Sequence, residues 1–206
     1  MNGISDNLSL TSENREKFND IQWKLWKWQE ENFGPTSSSA PPRHPFLGMC
    51  EESGELVHSI LKLSQGIRGT REEHIAHIKD AIGDIMVYLI NFFYRSDIGF
   101  VQSKDSYFRK FGEQKSHSKI QLEMLSWSIF KDVTHLGLYF EPAFTEDFRL
   151  PVQYHNSIKE TVEILCDDLV YLCNLLGFTL YECIEEVWVN VLSKRNWKSN
   201  PVNGVA

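Results

Sequence analysis

Three glutamates within one helical turn offer the clearest chemistry in the sequence. Glu51, Glu52 and Glu55 form a Glu-Glu-x-x-Glu motif, and this spacing crowds their carboxylates along one edge of a helix. Further along the chain, Asp84 stands within an apolar run, where an ionised carboxylate needs a partner. If the two segments are antiparallel helices, these carboxylates converge, and Asp80, one turn before Asp84, joins them.

Such a cluster favours a hard divalent cation, because few basic residues lie nearby to balance it. Ligation by oxygen alone suits magnesium or manganese rather than zinc. Magnesium keeps several waters, accepts phosphate oxygens and acidifies a bound water, so the motif predicts hydrolysis of a phosphoanhydride in a nucleotide. The competing interpretation is a solvated acidic helix face, and the buried setting expected for Asp84 favours a site instead.

A basic cluster near the end of the chain is suited to neutralising phosphates. It comprises Lys194, Arg195, Asn196, Trp197 and Lys198. Cations also suit a helix C-terminus for structural reasons alone. We therefore take Lys194, Arg195 and Asn196 as candidate substrate contacts, with a purely structural role as the alternative.

Two further residues are candidates for the substrate. Arg68 stands in a glycine-flanked loop from which it could fold over the phosphates, although an exposed loop arginine would need no such role. Trp23, Trp26 and Trp28 cannot all face one side of a helix, so at least one is available to line a pocket. We assign base stacking to Trp28, against the alternative that it is a core residue.

Hydrophobic periodicity predicts an all-α bundle of about six helices. We expect the helices at about 13–32, 46–63, 71–95, 119–139, 154–176 and 179–196. Residues 1–13 form a flexible lead with Thr11 or Ser12 as the first helix cap, and Gly34 to Pro45 form a loop. Strand signals are nearly absent.

A faint internal repeat is visible. Asp80, Asp84, Val87, Tyr88, Leu89 and Asn91 recur in type and spacing as Glu163, Asp167, Val170, Tyr171, Leu172 and Asn174. Where the acidic motif should recur, the chain has Ile129 to Asp132. A second copy would therefore have lost its site.

Composition narrows the class of protein. The net charge of −7 opposes binding to a nucleic-acid backbone. The four cysteines lack zinc spacing and are expected to be reduced. The polar N-terminus does not resemble a signal peptide, and the longest apolar segment, Ile82 to Tyr94, is too short to span a bilayer. We expect a cytoplasmic protein that binds neither a nucleic-acid polymer nor a membrane.

Several segments together resemble the MazG-like all-α nucleoside triphosphate pyrophosphohydrolases. The matching segments are WQEENFG at 28–34, HPFLGMCEESGELVHSILK at 44–62, QGIRGTREEH at 65–74, KDAIGDIMVYL at 79–89 and EEVWVNVLSKRNWKSNP at 185–201. The resemblance implies a single domain with a four-helix core made of residues 18–97 and 175–201. Residues 98–174 are then an insertion or a degenerate second repeat, as in the two-repeat dimeric dUTP pyrophosphatases.

The resemblance also implies specific roles. Glu52, Glu55 and Asp84 would be magnesium ligands, and Glu51 would be a ligand or would orient the attacking water. The products would be a nucleoside monophosphate and pyrophosphate, and the protein would be a homodimer. Many members carry Glu-x-x-Asp in the third helix, whereas this chain has Ala81 at the position of that Glu. We take Asp80 as the substitute ligand.

Two other classes compete with this interpretation. Glu55 with His58, and Asp132 with His135, have acid-x-x-His spacing, and Asp84 and Asp167 could complete a ferritin-like di-iron bundle. That alternative leaves Glu51, Glu52 and the basic cluster without a role. The second competitor is a nucleotide-binding protein without turnover, which the change at Ala81 keeps open.

Overall fold

The computed structural model describes residues 11–34, 41–96, 98, 101–110, 118–140 and 152–196. All regular structure in these residues is helical, which confirms the predicted six-helix all-α fold. The α-helices are α1 Ser12–Phe33, α2 Arg43–Gln65, α3 Arg71–Ser96, α4 Lys119–Phe140, α5 His155–Leu176 and α6 Leu180–Asn190. Short 3-10 helices cover Asp105–Phe108, Val152–Tyr154 and Leu192–Lys194.

Local sequence explains several helix ends. The Thr11 side chain accepts a backbone hydrogen bond at the start of α1, and Thr179 with Glu182 forms a capping box at the start of α6. Gly66 ends α2 at φ 66° and Gly177 ends α5 at φ 89°. Both angles are left-handed, and glycine adopts them without a Cβ clash.

Two predicted boundaries were wrong. Helix α2 begins at Arg43, inside the predicted loop, because Pro45 falls in the first turn, where the missing N–H costs no helical hydrogen bond. Helix α6 ends at Asn190 rather than 196, since Val191 leaves helical geometry at φ −119° and ψ −70°. The predicted lead up to residue 10, the loop centre at 35–40, and Trp197 and Lys198 lie outside the described residues.

The helices pack as two hairpins with α1 and α6 added. Helix α2 packs against α3 and also against α4, α4 packs against α5, and α6 and α1 lie on α3. Helices α2 and α4 are antiparallel, because Lys119 Nζ donates to the Ser64 carbonyl over 2.6 Å while Phe46 packs against Gly137 at the other end. The α4–α5 hairpin thus covers a second side of α2.

Helix α3 forms the centre of the bundle. Its apolar residues Ile82, Ile85 and Met86 are fully buried. At Gly83 a Cβ atom would lie 2.5 Å from the Cys183 carbonyl oxygen, so α6 can approach α3 only because this position lacks a side chain. Among the described residues, no single helix is long and apolar enough to cross a membrane; only the pair Val152–Leu176 and Leu180–Lys194, bent by 88°, reaches that length and composition.

Candidate functional site

The α2–α3 pair brings the predicted acidic residues within electrostatic reach of one another. Glu52 is half-buried, and burial is the main cause that raises its pKa to about 8. The carboxylates of Asp84, Glu55, Glu51 and Asp80 raise this pKa further, in that order. All five carboxylates therefore belong to one electrostatic cluster, which we call the acidic cluster.

Asp84 is the member of the acidic cluster that faces the basic end of the chain. Burial first and then Asp80 raise its pKa to about 6, while the positive charge of Arg195 lowers it. The segment after α6 therefore places a guanidinium close to the carboxylates. This juxtaposition joins residues more than a hundred positions apart in the sequence.

Tyr88 belongs to the same site and was missed at the level of sequence. It lies one turn after Asp84, and its ring occupies the space that a side chain at Gly48 would need, with ring atoms 2.5 Å from the Cβ position. Burial and the charges of Glu52 and Asp84 raise the pKa of its hydroxyl. Its i, i+4 spacing from Asp84 was the available signal.

The structure places Asp80 and Ala81 in different environments. Ala81 is 2% exposed and belongs to the core. Asp80 is exposed, and its charge raises the pKa of both Glu52 and Asp84. Asp80 therefore interacts electrostatically with the other members of the acidic cluster, although it points about 100° away from position 81 around the axis of α3.

Glu51 and Glu55 also line a depression of about 580 Å³ between α2 and the start of α3, with Arg68 at its edge. Arg68 has a left-handed backbone at φ 60°. Its loop is fixed by a 3.0 Å hydrogen bond between His74 Nε2 and the Ile67 carbonyl. The other lining residues, which sequence reasoning did not select, are Gly54, His58, Ser59, Lys62, His74 and His77.

The remaining predicted substrate residues line a second depression of about 320 Å³. Trp28, Lys194, Arg195 and Asn196 meet there, and Trp28 Nε1 donates to the Arg195 carbonyl over 2.9 Å. The other lining residues are Trp23, Lys24, Lys27, Glu31, Asn32, Trp188 and Ser193. The predicted substrate contacts are thus divided, with Arg68 in the first depression and the rest in the second.

The donor chemistry of the acidic cluster fits magnesium. Its members are carboxylates only. Burial first, and then repulsion between the carboxylates, raises the pKa of Glu52 and Asp84, and a divalent cation would offset the cost of ionising them. In the described part of the chain, no three His, Cys, Asp or Glu side chains are already grouped as a metal site. Glu52, Glu55, Asp84 and Asp80 are the residues that would hold the ion.

The residues of the di-iron alternative fall into different surroundings. Asp167 pairs with Lys104 at 3.1 Å, on the surface. Asp132 is buried beside Lys131, and its other electrostatic neighbours are Asp168 and His135, from α5 and α4. These groups do not include the carboxylates of α2 and α3.

Comparison of the chain with protein-family models, with curated proteins and with solved structures yields no match.

Proposed function

We propose that this protein is a magnesium-dependent nucleoside triphosphate pyrophosphohydrolase that releases a nucleoside monophosphate and pyrophosphate. Manganese would serve in place of magnesium, because both are hard cations that oxygen ligands bind. The proposal includes a cytoplasmic location and a free nucleotide, rather than a nucleic-acid polymer, as the substrate.

The main support for the proposal is that negatively and positively charged side chains both act on Asp84. Burial and the carboxylates of Asp80 and Glu55 raise its pKa while the charge of Arg195 lowers it, so acidic and basic groups both act on this carboxylate. A triphosphate chelated to a cation needs this combination, because the cation neutralises the carboxylates while arginine neutralises phosphate oxygens that the cation does not cover. Neither an acidic helix face nor a basic segment alone would meet that need.

The second depression supports a nucleotide rather than inorganic pyrophosphate as the ligand. It combines three tryptophans, Trp23, Trp28 and Trp188, with Lys194, Arg195 and Asn196. Aromatic side chains stack on nucleobases, and the cationic side chains suit the phosphates. Trp28 also fixes the chain at Arg195 through its indole N–H.

The acidic cluster and the basic residues after α6 would have separate roles in the reaction. A bound magnesium ion would supply charge neutralisation and acidify a water molecule. Glu51 or Glu52 would orient that water toward the α-phosphorus and accept its proton. Attack would break the bond from the α-phosphorus to the oxygen that bridges to the β-phosphate, and Arg195 and Lys194 would stabilise the departing pyrophosphate.

The proposal is tested by assaying pyrophosphate release from a panel of ribo- and deoxyribonucleoside triphosphates with magnesium. We expect turnover of at least one nucleotide, and loss of about 100-fold or more in the isosteric variants Glu55→Gln and Asp84→Asn, in line with removing one preorganised charged group. Their circular dichroism should match that of the wild type. Glu16→Gln is the matched control, since Glu16 is an exposed acid on α1.

Full activity in both Glu55→Gln and Asp84→Asn would overturn the assignment of the site. Nucleotide that raises the melting temperature without any release of pyrophosphate would instead identify a binding protein without turnover. Iron bound to freshly purified protein, with its visible absorption, would favour the di-iron alternative.

A further inference from the structure

The first depression has carboxylates at one end and positive side chains at the other. Glu51 and Glu55 of the acidic cluster line one end, while Lys62 and the loop residue Arg68 line the other. Glu55 and Lys62 are seven residues apart, so they lie on the same side of α2 and about 10 Å apart along its axis. The depression is therefore a groove along α2 that leads from the acidic cluster to two cations.

Neither cation is neutralised by a carboxylate of the described residues. Lys62 Nζ donates to the uncharged Gln65 Oε1 over 3.4 Å. No ion pair between described residues includes Lys62 or Arg68. The exposed rings of His58 and His77 line the same groove. Charged N–H donors such as those of Lys62 and Arg68 form strong hydrogen bonds with phosphate oxygens, so the groove suits a phosphate-bearing ligand.

The loop that carries Arg68 is fixed by hydrogen bonds on both sides. The Ile67 carbonyl shares a 3.0 Å hydrogen bond with His74 Nε2. The Thr70 N–H donates to Glu73 Oε2 over 2.7 Å, and the Glu73 N–H donates to Thr70 Oγ1 over 3.2 Å. Arg68 itself has a left-handed φ of 60°, which residues other than glycine seldom adopt. Such conformations cluster at ligand sites when the surrounding structure holds them in place.

The two depressions suit different parts of a nucleotide. The second contains Trp23, Trp28 and Trp188, on which a base can stack. None of the described residues that line the first depression is Phe, Tyr or Trp. Gly54 lies along the groove, and a Cβ there would meet nothing within 4 Å, so the middle of the groove is open. A slender, highly charged phosphate chain fits this groove better than a second base.

We propose that the first depression binds the phosphates beyond the cleaved bond and accepts a chain longer than a triphosphate, so that nucleoside 5′-tetraphosphates are also substrates. This inference rests on the proposed function. The distance of about 10 Å between Glu55 and Lys62 along α2 exceeds the distance from the α- to the γ-phosphorus of a triphosphate. Lys62 and Arg68 then contact the outermost phosphates, whereas Arg195 lies beside Asp84.

The reaction with a tetraphosphate forms and breaks the same bonds as the reaction with a triphosphate. The water oxygen forms a bond to the α-phosphorus, and the bond from that phosphorus to the α–β bridging oxygen breaks. The electron pair stays on the bridging oxygen, which leaves with tripolyphosphate. One proton of the water passes to Glu51 or Glu52, and the other stays on the nucleoside monophosphate. Lys62 and Arg68 supply the charge that stabilises this more highly charged leaving group.

The test compares the tri- and tetraphosphate of the nucleoside whose triphosphate the full chain hydrolyses fastest with magnesium. We expect the tetraphosphate to give nucleoside monophosphate and tripolyphosphate. Lys62→Gln and Arg68→Gln should each lower kcat/KM for the tetraphosphate by about tenfold or more, because each removes a charged hydrogen bond to an outer phosphate. The loss for the triphosphate should be smaller. Lys159→Gln, at an exposed position on α5, is the matched control and should change neither value.

Binding of inorganic tripolyphosphate, measured by isothermal titration calorimetry with magnesium, gives a readout without turnover. Wild-type protein should bind it, and Lys62→Gln or Arg68→Gln should raise the Kd by about tenfold or more, whereas Lys159→Gln should not. No turnover of the tetraphosphate, or full retention of that turnover in both variants, overturns the inference, and hydrolysis of triphosphates then shows that the proposed function still holds. If no triphosphate is hydrolysed but tripolyphosphate binding depends on Lys62 and Arg68, the proposed function is overturned and the phosphate-chain site holds.

Discussion

At the scale of single residues, Glu52 is the most informative position. It is half-buried, and the four other carboxylates of the acidic cluster act on it. A carboxyl group placed in this way destabilises the folded chain when it ionises. Carboxyl groups with a strongly raised pKa are concentrated at functional sites, and binding of a cation is the role that the neighbouring carboxylates favour.

The pH dependence of stability should report this cost in metal-free protein. The pKa of Glu52 rises on folding from 4.5 to about 8, and that of Asp84 from 3.8 to about 6. The folded chain then binds more protons than the unfolded chain between these values. We expect the free energy of unfolding, measured by urea titration in EDTA, to fall as the pH rises from about 4 to about 8 and then to level off.

The variant Glu52→Gln should remove the part of this decline between pH 6 and pH 8, because Asp84 is already mostly ionised there. Magnesium should restore stability most strongly near pH 8, since it binds the ionised carboxylates. Glu16→Gln should retain the wild-type pH profile. A metal-free protein whose stability increases from pH 6 to pH 8 would contradict the raised pKa of Glu52.

At the scale of the helices, close contact between α3 and α6 positions the basic segment near the acidic cluster. Gly83 sets the distance between them, because a Cβ there would lie 2.5 Å from the Cys183 carbonyl and 2.6 Å from Val187 Cγ2. The carbonyl is backbone and cannot rotate away. Separation of the two helices would also move Lys194 and Arg195, which follow α6.

We expect Gly83→Ala to lower the free energy of unfolding by about 1–3 kcal/mol, the usual cost of overpacking. Gly54→Ala is the matched control, because a Cβ at Gly54 meets nothing within 4 Å. This control should gain about 0.5–1 kcal/mol, since alanine is the better residue within a helix. Urea unfolding of both variants measures the difference, and equal stability of the two would contradict the close approach of α6.

At the scale of the whole molecule, α2 is the helix that unites the two hairpins. It packs on α3 through one side and on α4 through another. Phe46 near its beginning contacts α4 at Gly137, and Ser64 near its end accepts a hydrogen bond from Lys119. The α2–α3 hairpin and the α4–α5 hairpin therefore share one hydrophobic core.

This packing predicts that the chain unfolds as one cooperative unit. Thermal melts followed by circular dichroism at 222 nm and by tryptophan fluorescence should coincide. Phe46→Ala should lower the melting temperature in both signals together, with a loss of about 3–5 kcal/mol for a buried phenylalanine. Two separate transitions would show that the α4–α5 hairpin is an independent unit.

The amino-acid sequence alone predicts the helices, because hydrophobic periodicity and capping residues such as Thr11 and Thr179 act over a few positions. It also selected Glu51, Glu52, Glu55 and Asp84, whose spacing along a helix is a local property. The predicted end of α6 at Asn196 was wrong, since the α-helix ends at Asn190 and the chain continues past Val191 as the 3-10 helix Leu192–Lys194.

The surroundings of these residues depend on contacts between helices that are distant in the sequence. Arg195 acts on Asp84, and Tyr88 packs over Gly48, because α2, α3 and α6 meet in three dimensions. The division of the substrate candidates between two depressions, with Arg68 apart from Trp28, follows from the same packing. Ala81 and Asp80 are neighbours in the sequence but point in directions about 100° apart around α3. Other helices cover the side of α3 that carries Ala81, so Ala81 is a core residue. Asp80 is exposed and raises the pKa of Glu52 in the acidic cluster.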